Sequence, residues 1–413
     1  MFGPNVMGRV VALLLALVLL TACGGGSGSQ PASTPSPAAA GNVLGVIVDA
    51  GPSGAGYNVN RLYTTVKVCQ PDGGLCKVID HVLVDTGSTG LRLLSSALGS
   101  SVGLPRILGK AGLPLLNCAQ FVDATYAWGP VVTSDLILGG QAALLVPIQI
   151  IADREFDTAP GSCAAGGTAI TDVKSLGANG ILGLGLFKED CGSGCGSNVH
   201  NGFYYTCTDP SCAATTGAIA ALSQQVRNPV SSFASDNNGV VIELPPVGAA
   251  GLSNLTGSLI FGVGTQSNNQ MAPGSVVLFG DAWGYVSTLL GGTNQPNNFA
   301  RSFFDTGSNG LFFDSATIQL CAQSQDFYCP ASTLALSATL VGANAAKASV
   351  GLAISDATPL FTDGSKSAFP GLAGPIGESS IFDFGLPFFY GRRVAIGLAG
   401  RSSSLGTGPY YAF

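Results

Sequence analysis

The sequence has little charge: Asp, Glu, Lys and Arg together make up 10% of its 413 residues. The 23 acidic residues outnumber the 17 basic ones, which gives a net charge of −6, and no cluster of Lys and Arg stands out along the chain. Proteins that bind nucleic acids use basic patches to neutralise phosphates. The composition therefore argues against nucleic acid as a partner.

Histidine is also scarce: the chain has two, His81 and His200. A Ser-His-Asp or Cys-His mechanism needs one of them as its base. His81 falls in an alternating apolar run just before Asp85 and is interpreted as a structural residue, whereas His200 lies in a cysteine-rich segment. Glutamate is rare as well, and no second Asp/Glu pair indicates a glycosidase.

Long hydrophobic runs are limited to residues 11–20 near the N-terminus. This run is too short for a permanent transmembrane helix, which needs about 20 apolar residues, but it suits the core of a signal peptide. The motif "LTAC" at 20–23 is typical of a bacterial lipobox, so we expect residues 1–22 to be removed and Cys23 to be lipidated. The alternative is an ordinary secretory signal with a chance cysteine.

The segment after Cys23 contains Gly, Ser, Pro and Ala and has no core-forming residue. Residues 23–41 are therefore predicted to be a flexible tether. The lipobox predicts a lipid-anchored protein of the cell envelope, on the outer membrane and facing the periplasm or the exterior. We expect two lobes in the rest of the chain, residues 42–245 and 246–413, with the boundary at a segment rich in Pro and Gly.

Cysteine is well represented, with 11 residues, and ten remain when Cys23 is set aside. An exported chain keeps disulfides. Close spacing suggests four pairs, and elimination leaves a fifth, although the sequence alone does not fix this connectivity: Cys69–Cys76, Cys191–Cys195, Cys207–Cys212, Cys321–Cys329 and Cys118–Cys163. The alternative is a zinc site, whose ligands would come from Cys191, Cys195, His200, Cys207 and Cys212.

The abundant residues indicate β structure, since 59 glycines punctuate many short runs of β-branched and apolar residues. The clearest helix candidate is "TTGAIAALSQQV" at 215–226, which Asn228-Pro229 would end. The composition and the pattern predict an all-β fold with tight turns.

One octet occurs twice: "VDTGSTGL" at 84–91 and "FDTGSNGL" at 304–311. Each copy places a carboxylate, Asp85 or Asp305, directly after an apolar run, and each is followed later by an apolar-apolar-Gly element that ends at Gly183 or Gly385. A single Asp-Thr-Gly-Ser is an ordinary turn sequence. Two copies in a matching context indicate an internal duplication.

The two octets resemble the catalytic loops of pepsin-like aspartic peptidases, and "NGILGLGL" is similar to the apolar segment of that family's first lobe. The resemblance covers most of residues 43–413 in order and spacing. The C-terminal "GLPFFYGR" and the lipobox look more like a bacterial lipoprotein branch of the family. The resemblance implies a bilobal double β-barrel with few short helices and a cleft between the lobes.

In such a fold Asp85 and Asp305 would meet at the floor of the cleft. The resemblance implies that threonines hydrogen-bond across the lobe junction, that glycines allow a tight backbone, and that serines hydrogen-bond the outer carboxylate oxygens. These supporting residues are Thr86, Gly87, Ser88, Thr306, Gly307 and Ser308. Gly183 and Gly385 would lie beneath the loops, where no side chain fits.

Two carboxylates about 3 Å apart cannot both be ionised, so the pair holds one proton and can activate water. The resemblance thus implies an envelope-anchored aspartic endopeptidase that cuts extended polypeptide as a monomer, without metal or cofactor. The alternatives are a weakly active or inactive scaffold of this fold, which binds a peptide, a glycan or an envelope partner, and an envelope structural protein.

The resemblance is weakest where that family has a β-hairpin, the flap, over its cleft. The corresponding stretch is "ATYAWGPVVTSDLIL" at 124–138, which lacks the Gly-rich tip. Tyr126 and Trp128 are the candidate flap residues, and the alternative is that both belong to the core. Arg92 occupies a position that usually holds a large aromatic residue.

Overall fold

The computed structural model describes residues 41–109, 112–199, 202–209, 211–291 and 297–413. The predicted signal segment, Cys23, the tether up to residue 40 and His200 lie outside these residues. The described residues form one compact unit. Within the described residues, no helix has both the length and the apolar character that crossing a membrane requires.

Twelve strands precede the segment that joins the two halves of the chain. They are β1 (Val43–Val48), β2 (Leu62–Cys69), β3 (Cys76–Asp85), β4 (Thr89–Leu94), β5 (Leu115–Gln120), β6 (Thr125–Leu138), β7 (Gln141–Ile151), β8 (Thr168–Ala169), β9 (Gly180–Leu184), β10 (Tyr204–Cys207), β11 (Thr215–Gly217) and β12 (Gly239–Glu243).

Thirteen strands follow that segment. They are β13 (Leu255–Phe261), β14 (Val277–Phe279), β15 (Val286–Gly291), β16 (Asn297–Phe304), β17 (Leu311–Phe313), β18 (Leu334–Val341), β19 (Lys347–Ile354), β20 (Ala373–Gly374), β21 (Ile381–Phe384), β22 (Arg393–Gly397), β23 (Ser402–Ser403), β24 (Gly406–Thr407) and β25 (Tyr410–Ala412).

The helices are short. The α-helices are α1 (Ser95–Leu98), α2 (Gly161–Ala164), α3 (Val173–Leu176), α4 (Ser193–Ser197) and α5 (Thr358–Thr362), and the 3₁₀ segments are Pro71–Gly73, Arg154–Phe156, Pro229–Ser232, Ser267–Asn269 and Leu386–Phe389. The helix predicted at 215–226 is wrong, because Thr215–Gly217 is strand β11, paired with β10, and the following residues form turns.

The strands form two main sheets. The larger sheet has 16 strands in the order β11-β10-β5-β6-β7-β4-β9-β3-β2-β1-β13-β12-β22-β25-β14, with β8 paired to β6. An additional pairing of β6 with β2 closes the six strands β6-β7-β4-β9-β3-β2 into a barrel. The smaller sheet has seven strands in the order β19-β18-β15-β16-β21-β17-β20. The predicted all-β, bilobal architecture with few short helices is confirmed.

The buried residues explain why these segments are strands. In β2 the apolar Val66 and Val68 are buried while Lys67 between them is exposed, which is the period-2 pattern of a strand with one face in the core. Aliphatic residues dominate the first barrel. Around the smaller sheet a group of phenylalanines packs ring against ring: Phe299, Phe304, Phe313, Phe382, Phe384 and Phe388.

Five disulfides join Cys69–Cys76, Cys118–Cys163, Cys191–Cys195, Cys207–Cys212 and Cys321–Cys329. This is the connectivity that spacing and elimination suggested. Four of the five candidate zinc ligands are therefore occupied as disulfides, and the fifth, His200, is not described. Among the described residues, no group of three or more His, Cys, Asp and Glu side chains is arranged to hold a metal ion.

Candidate active site

Each of the two repeated octets crosses the end of a central strand. In the larger sheet β9 pairs in parallel with β3 and antiparallel with β4, so the loop between β3 and β4 passes over the end of β9. In the smaller sheet β21 has the same relation to β16 and β17. We call residues 85–88 the first carboxylate loop and residues 305–308 the second carboxylate loop. The duplication seen in the sequence is thus a duplication of strand topology.

Glycines lie directly beneath both carboxylate loops. A Cβ atom on Gly183 would come within 2.6 Å of the Thr89 carbonyl carbon, and a Cβ on Gly385 would come within 2.1 Å of the Gly310 oxygen. Real Cβ atoms do not approach backbone atoms so closely, since overpacking of this kind displaces the backbone. Both positions therefore require glycine for close backbone approach, as the resemblance implied.

Threonine side chains connect the two carboxylate loops to each other. The Thr86 hydroxyl donates to the Phe304 carbonyl at 2.8 Å and accepts from the Thr306 amide at 3.0 Å. The Thr306 hydroxyl donates to the Val84 carbonyl at 2.7 Å. Thr86 and Thr306 are buried. These bonds hold the end of β3 against the end of β16 and fix the register of the two loops.

Each carboxylate accepts hydrogen bonds from its own loop. The Gly87 amide donates to Asp85 Oδ1 at 2.8 Å, and the Gly307 amide donates to Asp305 Oδ1 at 2.7 Å. The Ser88 hydroxyl donates to Asp85 Oδ2, and the Ser308 hydroxyl donates to Asp305 Oδ2 at 2.8 Å. The two serine donors are those that the resemblance implied.

One backbone amide serves both carboxylates. The Gly87 N–H donates to Asp305 Oδ1 at 3.0 Å as well as to Asp85 Oδ1. A Cβ on Gly87 would lie 2.6 Å from Asp305 Cγ, so a side chain at this position would push the two acids apart. The structure therefore brings Asp85 and Asp305 together at one point between the two sheets.

The surroundings of this pair disfavour two negative charges. Asp85 is 6% exposed and Asp305 is 8% exposed. Burial raises the pKa of Asp85 well above its usual range, and the charge of Asp305 and a hydrogen bond with it raise that pKa further, while Ser88 and Gly87 oppose the shift. Buried carboxylates in contact share a proton, and their titration belongs to the pair. The pair can therefore hold one proton between its two carboxyl groups.

A cleft of about 500 Å³ opens above the carboxylate pair. Its walls carry several aromatic side chains and four charged ones. The aromatic residues are Phe121, Phe187, Phe203, Trp283, Tyr285, Phe303, Phe312 and Tyr411, and the charged ones, besides the pair itself, are Arg61, Arg92, Asp123 and Asp190. Such a mixture of apolar surface and few polar groups is typical of sites that bind an organic ligand.

The hairpin of β5 and β6 contributes one wall of the cleft through its tip. Residues 121–123 line the cleft, and Val122 is 67% exposed. Tyr126 and Trp128, the predicted flap residues, do not line it. They are buried with the Cys118–Cys163 disulfide and Tyr205, whose ring lies 5.4 Å from that of Trp128. The alternative that both belong to the core therefore holds, and the tip of the hairpin lies a few residues earlier in the chain than the two aromatic residues suggested.

A buried polar network forms another part of the wall and was missed by the sequence analysis. The Arg92 guanidinium, 3% exposed, donates to Asn117 Oδ1 at 2.5 Å, to Gln149 Oε1 at 2.6 Å and to Asp190 Oδ2 at 3.1 Å. The Tyr204 hydroxyl donates to Asp190 Oδ1 at 2.5 Å. Burial raises the pKa of Asp190 although Arg92 opposes the shift. The members come from five separate segments, so no local motif indicates them.

His81 lies away from any nucleophile arrangement. Its ring nitrogens lie 3.2 Å from Asp49 and 3.3 Å from Asp80, and its ring packs edge-on against Tyr63. These contacts fit the structural role inferred from the sequence.

Comparison with solved structures finds 112 matching chains. One of them is the crystal structure of aspartic proteinase from Irpex lacteus, with 13% sequence identity, a TM-score of 0.45, and coverage of 90% of this chain and 96% of that chain. A likeness at this level does not bear on activity. No curated protein matches the sequence.

The family comparison covers nearly all of the part of the chain that folds into the two sheets. The matching model is described as "Protein of unknown function (DUF3443)" and spans residues 38–413, so the chain belongs to this family.

Proposed function

We propose that this protein is an aspartic endopeptidase. The observation that carries the proposal is the shared Gly87 amide, which hydrogen-bonds Asp85 and Asp305 at the same time and so holds two buried carboxyls at one point of an open cleft. The raised pKa of Asp85 supports a pair with a single proton. Such a pair contains a general base and a general acid without further groups.

The proposed reaction needs one water molecule and one peptide bond. The ionised carboxylate takes a proton from water while the water oxygen bonds to the peptide carbonyl carbon, and the protonated carboxyl gives its proton to the carbonyl oxygen. The tetrahedral intermediate then collapses. A hydroxyl proton returns to one carboxylate, the other carboxyl protonates the amide nitrogen, and the C–N bond breaks. The products are a carboxylic acid and an amine, and the pair again holds one proton.

The donors around the pair would keep its oxygens in place through this cycle. Each Oδ1 accepts a backbone amide of its own loop, and each Oδ2 accepts a serine hydroxyl. Preorganised donors of this kind stabilise charge without reorganisation during the reaction. The threonine bonds between the loops would hold the separation of the two acids constant.

The substrate we propose is an extended polypeptide with apolar side chains. The aromatic lining of the cleft supports this choice, since apolar side chains gain most from such surfaces. Trp283 is 76% exposed at the edge of the cleft and can cover a substrate side chain that extends out of the cleft. We further propose that the protein works as a monomer.

We propose that the enzyme acts in the cell envelope. The lipobox at 20–23 and the five disulfides support export, and lipidation of Cys23 would anchor the chain at the outer membrane, facing the periplasm or the exterior. Metabolic labelling with a fatty acid tests the anchor. Wild type should carry the label and be found in the membrane fraction, and Cys23→Ala should lose both the label and the membrane association. Label that persists in Cys23→Ala would contradict the anchor.

Cleavage of an unfolded protein between about pH 3 and about pH 7 tests the activity, with and without a statine-type inhibitor. Wild type should cleave, and Asp85→Asn and Asp305→Asn should each lose about 10²–10⁴-fold in rate, the usual contribution of acid–base catalysis. Asp72→Asn is the matched control, since Asp72 is exposed in the Pro71–Gly73 segment and is not part of the cleft lining. Wild-type rates in Asp85→Asn would overturn the proposal. A wild type that binds the inhibitor without cleaving would favour a binding scaffold.

A further inference from the structure

A third carboxylic acid lies beside the carboxylate pair. Asp383 in β21 is fully buried, and neither of its carboxyl oxygens has a hydrogen-bond partner among the described residues. In the sheet it lies opposite Phe303 of β16 and Phe312 of β17, and both of these line the cleft. Ile381, two residues away on the same face of the strand, also lines the cleft. Asp383 therefore belongs to the layer directly below the cleft floor.

The internal duplication shows that this acid is a departure from the repeat. In the first half, Leu83 of β3 lies opposite Ile181 of β9, in the register that Phe303 and Asp383 occupy in the second half. The first half thus has an apolar side chain where the second has a carboxyl group. Burying a polar group without a partner is unfavourable, and burying an unpaired charge is far more so. An acid in this layer calls for a reason other than packing.

The neighbours of Asp383 oppose its ionisation. Burial raises its pKa well above the usual range, and the charges of Asp305 and Asp85 raise it further, while the nearby Ser308 hydroxyl opposes the shift. Tyr411 also lies in this region: burial raises its pKa, and Asp305, Tyr285 and Asp383 raise it further. Among the described residues, no Lys, Arg or His contributes to the electrostatics of Asp383.

Ser308 acts on both the third acid and the pair, although its hydroxyl is not hydrogen-bonded to Asp383 in the structure. Its hydroxyl donates to Asp305 Oδ2 at 2.8 Å, which leaves the lone pairs of the serine oxygen free to accept. A protonated carboxyl has one O–H to donate, whereas an ionised carboxylate has none. An un-ionised Asp383 next to Ser308 can therefore complete a chain that runs from Asp383 through Ser308 to Asp305.

We propose that Asp383 is protonated in the folded protein and donates a hydrogen bond to Ser308, and that it thereby acts as a positioning residue for the Asp305 carboxylate. The part that concerns catalysis rests on the proposed peptidase function. The part that concerns the proton and the hydrogen bond does not.

The proton is tested by the pH dependence of folding. A group that is protonated when folded and ionised when unfolded costs stability as pH rises. Between about pH 4 and about pH 7, the unfolding equilibrium constant of wild type in urea should therefore rise about tenfold per pH unit relative to Asp383→Asn, which keeps the shape but cannot ionise. Parallel pH dependences of the two proteins would overturn the proposal.

The hydrogen bond is tested by a double-mutant cycle of Asp383→Leu and Ser308→Ala, read as changes in the unfolding constant. Either variant alone breaks the same bond, so the double variant should lose clearly less than the product of the two single effects. If the effect of the double variant on the unfolding constant equals the product of the two single effects to within about twofold, the contact between Asp383 and Ser308 is overturned.

Kinetics test the positioning role. Asp383→Leu should lower kcat about tenfold with little change in KM, which corresponds to one lost hydrogen bond, and Asp383→Asn should recover part of the loss because its amide can donate. Equal kcat in wild type and Asp383→Leu would overturn positioning. If wild type cleaves nothing, the peptidase proposal fails, while the pH dependence and the double-mutant cycle still decide whether Asp383 holds a proton and contacts Ser308.

Discussion

The two halves of the carboxylate pair differ at the level of single residues. The Thr86 hydroxyl makes two hydrogen bonds to the opposite loop, whereas the Thr306 hydroxyl makes one. The pKa of Asp85 is raised, mainly by burial and to a lesser extent by the charge of Asp305. The two copies of the repeat have the same Asp-Thr-Gly-Ser residues, but these residues make different contacts in the two halves. Experiments on single residues can detect the difference.

Thr86→Val and Thr306→Val should both destabilise the protein, and Thr86→Val should do so more. Removing the Thr86 hydroxyl leaves the Phe304 carbonyl and the Thr306 amide without partners, and each buried unsatisfied group costs about 1–3 kcal/mol. Urea unfolding measures the loss. Thr216→Val is the control, since Thr216 is exposed in β11. Equal stability of Thr86→Val and wild type would show that the threonine bonds do not hold the loops.

The raised pKa of Asp85 sets the direction of the pH dependence of cleavage. In the proposed mechanism the pair is active with one proton, so the rate should fall at low pH, where the pair takes up a second proton, and at high pH, where it loses its last one. Because the pKa of Asp85 is raised, the high-pH fall should lie well above about 3.9, the value of an ordinary aspartate. The profile of kcat/KM against pH measures it. A rate that falls as the pH rises through about 4 would contradict a buried, coupled pair.

At the level of elements, the central strands β9 and β21 determine where the acids meet. Gly183 near the end of β9 and Gly385 directly after β21 closely approach the backbone above them, and each central strand pairs with the two strands that flank its carboxylate loop. The position of the acids is thus a property of the strand arrangement rather than of the loops alone.

Gly385→Ala should disrupt the second carboxylate loop. The added Cβ would lie 2.1 Å from the Gly310 oxygen and 2.6 Å from the Ser308 oxygen, and overpacking against backbone typically costs about 1–3 kcal/mol or more. Thermal unfolding and cleavage rate should both fall. Gly351→Ala in β19 is the matched control, because a Cβ there meets nothing within 4 Å. Equal effects of the two substitutions would show that the close approach is not a constraint.

The sequence predicted elements well where one short segment contains the whole pattern. It predicted them poorly where pairing with distant strands determines the structure. The octets and four of the five disulfide pairs follow from local spacing, whereas Cys118–Cys163 was reached by elimination and the two glycines were implied by the resemblance. The segment at 215–226 looked helical because of its alanines, but Thr215 and Thr216 are β-branched and pair with β10, which overrides a weak propensity. The Arg92 network and Asp383 depend on the register of separate strands, which no single stretch of sequence contains.

At the level of the whole molecule, the two halves of the chain are interleaved. Strand β13 from the second half lies between β1 and β12 of the first, and β12 pairs on its other side with β22. The duplication and the bilobal, all-β fold could be predicted from the repeated octets and the composition. This interleaving could not, because it requires knowing which strand edges remain free after each half has paired.

Residues 42–245 expressed alone should not fold stably, because β1 and β12 would lose the strand between them and would expose unpaired edges. Residues 41–413 should unfold in one calorimetric transition. Near-ultraviolet circular dichroism and amide chemical-shift dispersion would report on the fragment. A well-dispersed, cooperatively unfolding fragment would mean that the first half is an independent domain.

The disulfide between β5 and α2 has a consequence for what can reach the two acids. Cys118 is tied to Cys163, and Tyr126, Trp128 and Tyr205 pack around this bridge at the base of the hairpin. The bridge and the packing around it restrain the base of the hairpin, whereas its tip, residues 121–123, lines the cleft, so we expect the opening to adjust at the tip. In the proposed peptidase, such an opening should favour a single extended strand over a folded domain. Misfolded or naturally unstructured chains would then be its substrates, and compact neighbours in the same compartment would be spared.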